Sequence, residues 1–260
     1  MDDFAVIDPA AVASEVARLA PHVGVFLDLD GTLAPIVARP ELARILPEMQ
    51  PVLSKLAKRL EVVAVVSGRP SSQVRELVEA NDVVVVGTHG LEGEPAMAAE
   101  VLAEIEAAAA AVGAWVEPKG AAAAVHFRGL KDPEAAEAAS AGSLQAIAAT
   151  HGLEILPGKR ILELTPAGRP RKGGAIERIV RERGLLGLLI AGDDVGDLDS
   201  FAALDRFRAS GLWTCGVVAG GKETPPEVEA AADLVVDGPL GVAALLGSIA
   251  DELDREAPEP

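Results

Sequence analysis

Four apolar runs along the chain each close on polar residues. They are Val23 to Leu27 before Asp28-Leu29-Asp30-Gly31-Thr32, Val62 to Val66 before Ser67-Gly68-Arg69-Pro70, Val83 to Val86 before Gly87-Thr88-His89-Gly90, and Leu185 to Ala191 before Gly192-Asp193-Asp194-Val195-Gly196-Asp197. A strand with one wet face alternates apolar and polar residues; these runs do not alternate, which predicts strands covered on both faces. Helix-like segments at 9–20, 48–60, 71–80 and 172–183 flank and separate them. Strands and helices in alternation imply right-handed crossovers and a parallel sheet, with chemistry beyond the carboxyl ends of its strands.

The rhythm breaks at about residue 93. An Ala-rich helix (95–112), short strands at 114–117 and 122–128, a second helix (132–150) and strands at 153–156 and 160–165 predict a separate α+β lobe set into the sheet protein. The division is then 1–92 for the first part of the core, 93–168 for the inserted lobe and 169–260 for the second part of the core. Runs at 216–219 and 234–236 add strands, and the charged, Pro-containing tail from 251 to 260 is expected to fray.

Composition narrows the partners. Half of the 260 residues are apolar but only 3% are aromatic, with no Tyr, so Ala, Val, Leu and Ile must build the core. A net charge of -17 disfavours nucleic acid and anionic membrane surfaces, and it obliges any phosphate ester to find a local cation. The single Cys215 has no partner for a disulfide and reads as a small core residue of a strand. Met1-Asp2-Asp3-Phe4 lacks the features of an export signal and no apolar run is long enough to span a bilayer, so a cytoplasmic protein is expected.

Asp28 and Asp30 are two apart in an extended segment and so face one pocket unless the chain bends between them; two carboxylates that close must share a proton or a cation. A calcium loop is excluded because Gly31 falls at its position four and Arg39 at twelve; an ordinary Asp-Gly turn stays possible for this stretch taken alone. Asp28 with Asp30, Ser67, Lys172, and Asp193 with Asp194 and Asp197 all fall at strand ends or at a helix start. Brought together, they suit phosphoryl transfer, where positioning and charge neutralisation dominate. Asp28 would be the nucleophile, and Asp30 the acid for the leaving alcohol and then the base for water. Mg²⁺ would be held by Asp28, the Asp30 carbonyl and Asp193, with Asp194 and Asp197 steadying them from behind. Ser67 is equally readable as a phosphate donor or a turn serine. Arg169, Arg171 and Lys172 crowd a helix start, where positive charge is disfavoured unless an anion binds.

With Asp28-Leu29-Asp30-Gly31-Thr32, Ser67-Gly68-Arg69, Lys172 and Gly192-Asp193-Asp194 in this order, the sequence resembles the haloacid dehalogenase superfamily. Asp28 to Ile36, Ser67 to Pro70, Gly87 to Gly90, Glu117-Pro118-Lys119, His126-Phe127-Arg128 and Leu162 to Pro166 narrow the similarity to the trehalose-6-phosphate phosphatase family, over roughly residues 23 to 207. The resemblance implies a Rossmann-like haloacid dehalogenase core with the inserted lobe as a cap, and Mg²⁺-dependent hydrolysis of trehalose 6-phosphate. It also implies that Glu117, Lys119, Arg128 and Glu163 reach the sugar or the phosphate from the cap, with Arg69 and His89 binding substrate nearer the core. The last motif departs from the family form Gly-Asp-Asp-x-Thr-Asp-Glu by Gly196 and Leu198. Another phosphorylated sugar, such as sucrose phosphate or a glycosyl-phosphoglycerate, and an inactive sugar-phosphate sensor remain alternatives. The partner expected is a small-molecule sugar phosphate; oligomeric state is not legible.

Overall fold

The computed structural model describes residues 8–169 and 171–256. The chain runs α1 (Pro9–Leu19), β1 (Val23–Leu27), α2 (Met49–Arg59), β2 (Val62–Val66), α3 (Ser71–Leu77) and β3 (Val84–Val86). It continues through α4 (Ala99–Ala110), β4 (Trp115–Lys119), β5 (Ala122–His126), α5 (Pro133–His151), β6 (Leu153–Gly158) and β7 (Ile161–Pro166). It ends with α6 (Lys172–Arg183), β8 (Gly187–Gly192), α7 (Leu198–Ala209), β9 (Trp213–Gly220), α8 (Pro226–Ala230), β10 (Leu234–Asp237) and α9 (Gly238–Arg255).

A six-stranded parallel sheet has the order β10-β9-β8-β1-β2-β3. The chain winds outward from β1 through β2 to β3, then restarts on the other side of β1 with β8. The order reverses between β1 and β8, and a crevice opens at such a switch point. Both faces are covered, as the unalternating runs demand. Val25, Leu27, Val63 and Leu189 pack towards α1, α2 and α9. Phe26, Ala64 and Ile190 pack towards Ile176 and Ile179 of α6 and Phe201 and Leu204 of α7. Cys215 is buried within β9.

The second sheet, β4-β5-β7-β6, is antiparallel. Here the period is two, because one face is dry and the other is not. Val125, Leu162 and Leu164 pack under α4 and α5 with Ile105 and Leu144. The alternate positions Glu117, Lys119, His126, Ile161 and Glu163 line a cavity over the parallel sheet.

The expected elements are present with shifted ends, and one expectation is overturned. The tail does not fray at residue 251: α9 continues to Arg255, with Leu253 only 1% exposed. Val242, Leu245, Leu246, Ile249, Ala250 and Leu253 recur at helical spacing and join the core beneath the sheet. Residues 257–260 and the first four residues, on which the expectations about tail and leader also rested, lie outside the described residues. Among those described, no helix is long and apolar enough to cross a membrane.

Candidate active site

Asp28 follows β1 directly, and its N–H donates to the Ala191 carbonyl at the end of β8 (2.9 Å), so the two strand ends stay locked together. The chain then turns back tightly. Leu33 and Ala34 N–H donate to the Leu29 carbonyl, and Gly31 N–H to the Ala34 carbonyl at 2.7 Å. Gly31 has φ of +90°, and a Cβ there would lie 1.9 Å from Asp193 Oδ2. Glycine is required both for the conformation and for the close approach of the two acidic loops.

Lys172 opens α6 and turns inward. Its Nζ donates to Asp28 Oδ1 at 2.5 Å and to Asp197 Oδ1 at 2.8 Å. Asp197 Oδ2 accepts the backbone N–H groups of Asp193 (3.0 Å) and Asp194 (3.3 Å), so both oxygens of Asp197 are committed to holding the lysine and the loop. Thr32 Oγ1 donates to Asp193 Oδ1 at 3.4 Å. Burial pushes the Asp28 carboxyl above its ordinary value, Lys172 opposes this, and Asp197 adds to it. Asp193 is raised by burial and by Asp28 and Asp197. Burial works against the charge on Lys172, but Asp197 and Asp28 outweigh it and hold the ammonium protonated.

Asp28, Asp193 and Asp197 each offer a buried carboxylate oxygen, all within 4.8 Å of one another. A hard divalent cation suits such an all-oxygen set. Asp197 accepts from three donors, whereas Asp28 accepts from Lys172 alone and Asp193 from Thr32 and the Lys159 ammonium, so Asp28 and Asp193 keep more lone pairs for a cation. The Asp30 carboxylate is turned away, gripped by Arg69 through Nε (2.6 Å) and Nη2 (2.7 Å), which leaves its carbonyl as the available donor. The residues therefore fit the Mg²⁺ expected from the sequence.

Ser67 sits buried at the end of β2 and accepts the Arg69 N–H at 3.2 Å. It caps no helix, since α3 starts after Pro70 without a side-chain cap. Arg69, expected to contact substrate, lines the cavity with Nε and Nη2 on Asp30 and Nη1 on the Pro40 carbonyl (3.0 Å). His89 has φ of +53°, a conformation costly for a non-glycine residue, and its Nε2 meets Glu163 Oε1 of the cap at 3.2 Å.

On the cap, Lys119 donates to Glu163 Oε2 at 3.1 Å. Burial alone would raise the Glu163 carboxyl, but Lys119 and His89 together bring it far below the usual carboxylate range. Glu117 meets His126 Nε2 at 3.0 Å and the Gln73 amide of α3 at 3.4 Å. Arg128 donates to the Lys159 carbonyl (3.2 Å) and to Glu223 of the core (3.1 Å). All these residues except Gln73 and Glu223 line one cavity of about 560 Å³ with Asp28, Asp30, Ser67, Lys172, Asp193, Asp194 and Asp197.

The sequence reading missed Lys159, at the tip of the β6–β7 hairpin. Its ammonium pairs with Asp193, and its N–H donates to Asp194 Oδ2 at 2.8 Å. Nothing in Gly158-Lys159-Arg160 separates it from a solvated basic turn. At the basic helix start, Arg169 pairs with Glu94 at 3.0 Å and Arg171 with Glu154 at 2.5 Å, while Lys172 turns inward onto Asp28 and Asp197.

The description trehalose-phosphatase belongs to the family model that matches residues 26–224. Among curated proteins, an uncharacterized glycosyl hydrolase of Mycobacterium tuberculosis is 32% identical over 230 residues, covering 79% of this chain and 17% of its own length. A trehalose-phosphate phosphatase of Mycolicibacterium paratuberculosis is 29% identical over 255 residues, covering 90% of this chain and 63% of its own. The chain thus spans less than two thirds of either relative. Among solved structures, the C-terminal domain of Candida albicans trehalose-6-phosphate phosphatase superposes with a TM-score of 0.76 at 19% identity, over 93% of this chain and 96% of that one. The core is that of the haloacid dehalogenase fold.

Proposed function

The chain belongs to the trehalose-phosphatase family, and from that premise we propose that it hydrolyses trehalose 6-phosphate to trehalose and phosphate through a phosphorylated Asp28. One observation carries the reading. A buried carboxylate at a strand end, held by Lys172 at 2.5 Å, shares a cavity with Asp193 below and with the cap residues Glu117, Lys119 and Glu163 above.

An Asp28 carboxylate oxygen attacks phosphorus as the bond to the sugar oxygen breaks, and Asp30 gives that oxygen its proton. Asp30 must first turn from Arg69 towards the leaving group, within a cavity that both already line. Water then attacks the acyl phosphate, Asp30 takes the water's proton, and phosphate leaves with Asp28 regenerated. Ser67 and Lys172 hold the phosphoryl oxygens. The floor carries Asp28, Asp193, Asp194 and Asp197 against Lys172 and Lys159, so a phosphate dianion needs further positive charge there. Mg²⁺ held by Asp28, Asp193 and the Asp30 carbonyl would supply it. The cap excludes water, which strengthens each of these interactions. A soluble substrate and a cytoplasmic setting complete the reading.

Mass spectrometry of protein quenched in acid during turnover is expected to find one phosphoryl group on Asp28. Asp28→Asn is expected to give neither adduct nor turnover while still unfolding cooperatively. Turnover by that variant would reject the covalent route.

A further inference from the structure

Three side chains on the cavity side of the cap sheet form a unit that the phosphoryl chemistry does not use. Trp115 and His126 are directly opposed on β4 and β5, and their rings stack with centroids 4.0 Å apart and planes within 5°. Two positions along β4, on the same face, Glu117 turns Oε2 to His126 Nε2 at 3.0 Å and Oε1 to the Gln73 amide at 3.4 Å. The strand register fixes the stack, because opposed side chains of an antiparallel pair lie about 5 Å apart. His126 is only 5% exposed, and the half-exposed indole covers it at the edge of the lobe.

Lys119 and Arg69 line the same cavity, but each is engaged elsewhere, Lys119 on Glu163 and Arg69 on Asp30 and the Pro40 carbonyl. Glu117 is held instead by His126 and by the Gln73 amide. Each carboxylate oxygen has two acceptor sites, so one on each remains free towards the cavity.

We infer that His126, braced by Trp115, is a positioning residue for sugar recognition: it fixes Glu117 so that the free acceptor sites face the sugar hydroxyls, and it thereby sets preference for a sugar phosphate over a plain phosphate ester. This rests on the phosphatase reading above and deepens it. His126 touches no reacting atom; its effect passes through Glu117. Cap strands that differed only in this stack would keep the reaction and lose selectivity.

The test begins with phosphate release by the wild-type chain from trehalose 6-phosphate, sucrose phosphate and glucosyl-phosphoglycerate. Release from none of them would overturn the phosphatase reading and this inference with it. On whichever is turned over best, the readout is kcat/KM relative to that for p-nitrophenyl phosphate. His126→Ala is expected to lower this ratio by about tenfold or more, through KM. His126→Gln, whose amide nitrogen reaches the position of Nε2, is expected to restore most of it. In a Trp213→Phe background, the emission of Trp115 is expected to respond to that sugar phosphate with histidine or glutamine at 126 and not with alanine. Equal losses on the sugar phosphate and p-nitrophenyl phosphate, or no rescue by His126→Gln, would overturn the positioning role and leave the phosphatase reading standing.

Discussion

Asp197 illustrates how the residues of the site divide their work. Its two oxygens hold Lys172 and two backbone N–H groups, so it builds the floor on which Asp28 and Asp193 act. That division was legible in part. Asp28, Lys172 and Asp193 stand at strand and helix ends that the apolar pattern marks, whereas the turn of Asp30 onto Arg69 depends on two distant loops meeting. The cap residue Glu163 gives a test in solution. Its carboxyl is lowered from 4.5 in the fold, so its pairing contributes stability fully above that value and loses it as pH falls through 4.5 and below. Glu163→Gln leaves Lys119 buried without this partner, and a loss of about 3 kcal/mol at neutral pH is expected. Denaturant unfolding should show the gap between the two proteins shrinking as the solution is acidified below 4.5. A gap independent of pH would mean that the pair is not what Glu163 contributes.

At the scale of elements, the strands were the most legible, since unalternating apolar runs have few other uses. The last helix was not. Its charged, Pro-containing end from 251 masks the stripe that Val242, Leu245, Ile249 and Leu253 form beneath the sheet. Leu253→Ala is expected to cost about 2–4 kcal/mol in denaturant unfolding. A change near zero would restore the frayed tail. The β6–β7 hairpin was expected as strands, but its tip could not be placed, because a turn carries no sign of what lies beneath it. Lys159 docks that tip on Asp193 and Asp194. Lys159→Gln removes the ammonium and is expected to speed amide exchange at 158–161 by about tenfold, the size of one lost charge-assisted contact. Unchanged exchange would show that the backbone bond to Asp194 suffices.

At the scale of the molecule, the sheet reverses its winding between β1 and β8, and the cap closes over that point. Two halves of a site far apart in sequence meet there: Asp28 and Asp30 from one side, Lys172 and Asp193 from the other. The rhythm of strands and helices foretold the crevice, and the break at residue 93 foretold the lobe, because both follow from local periodicity. The pairing of cap with core did not follow, since His89 with Glu163, Gln73 with Glu117 and Arg128 with Glu223 join side chains whose partners no local pattern names. A chain with a net charge of -17 repels phosphate esters at long range, so the proposed activity depends on cations gathered at this one place. The direct measurement is phosphate release across a panel of sugar phosphates, with Mg²⁺ present and after its removal by a chelator. Trehalose 6-phosphate is expected to be turned over fastest, with activity lost on chelation and regained when Mg²⁺ is restored. Equal rates across the panel, or release that ignores the metal, would contradict the proposed reaction.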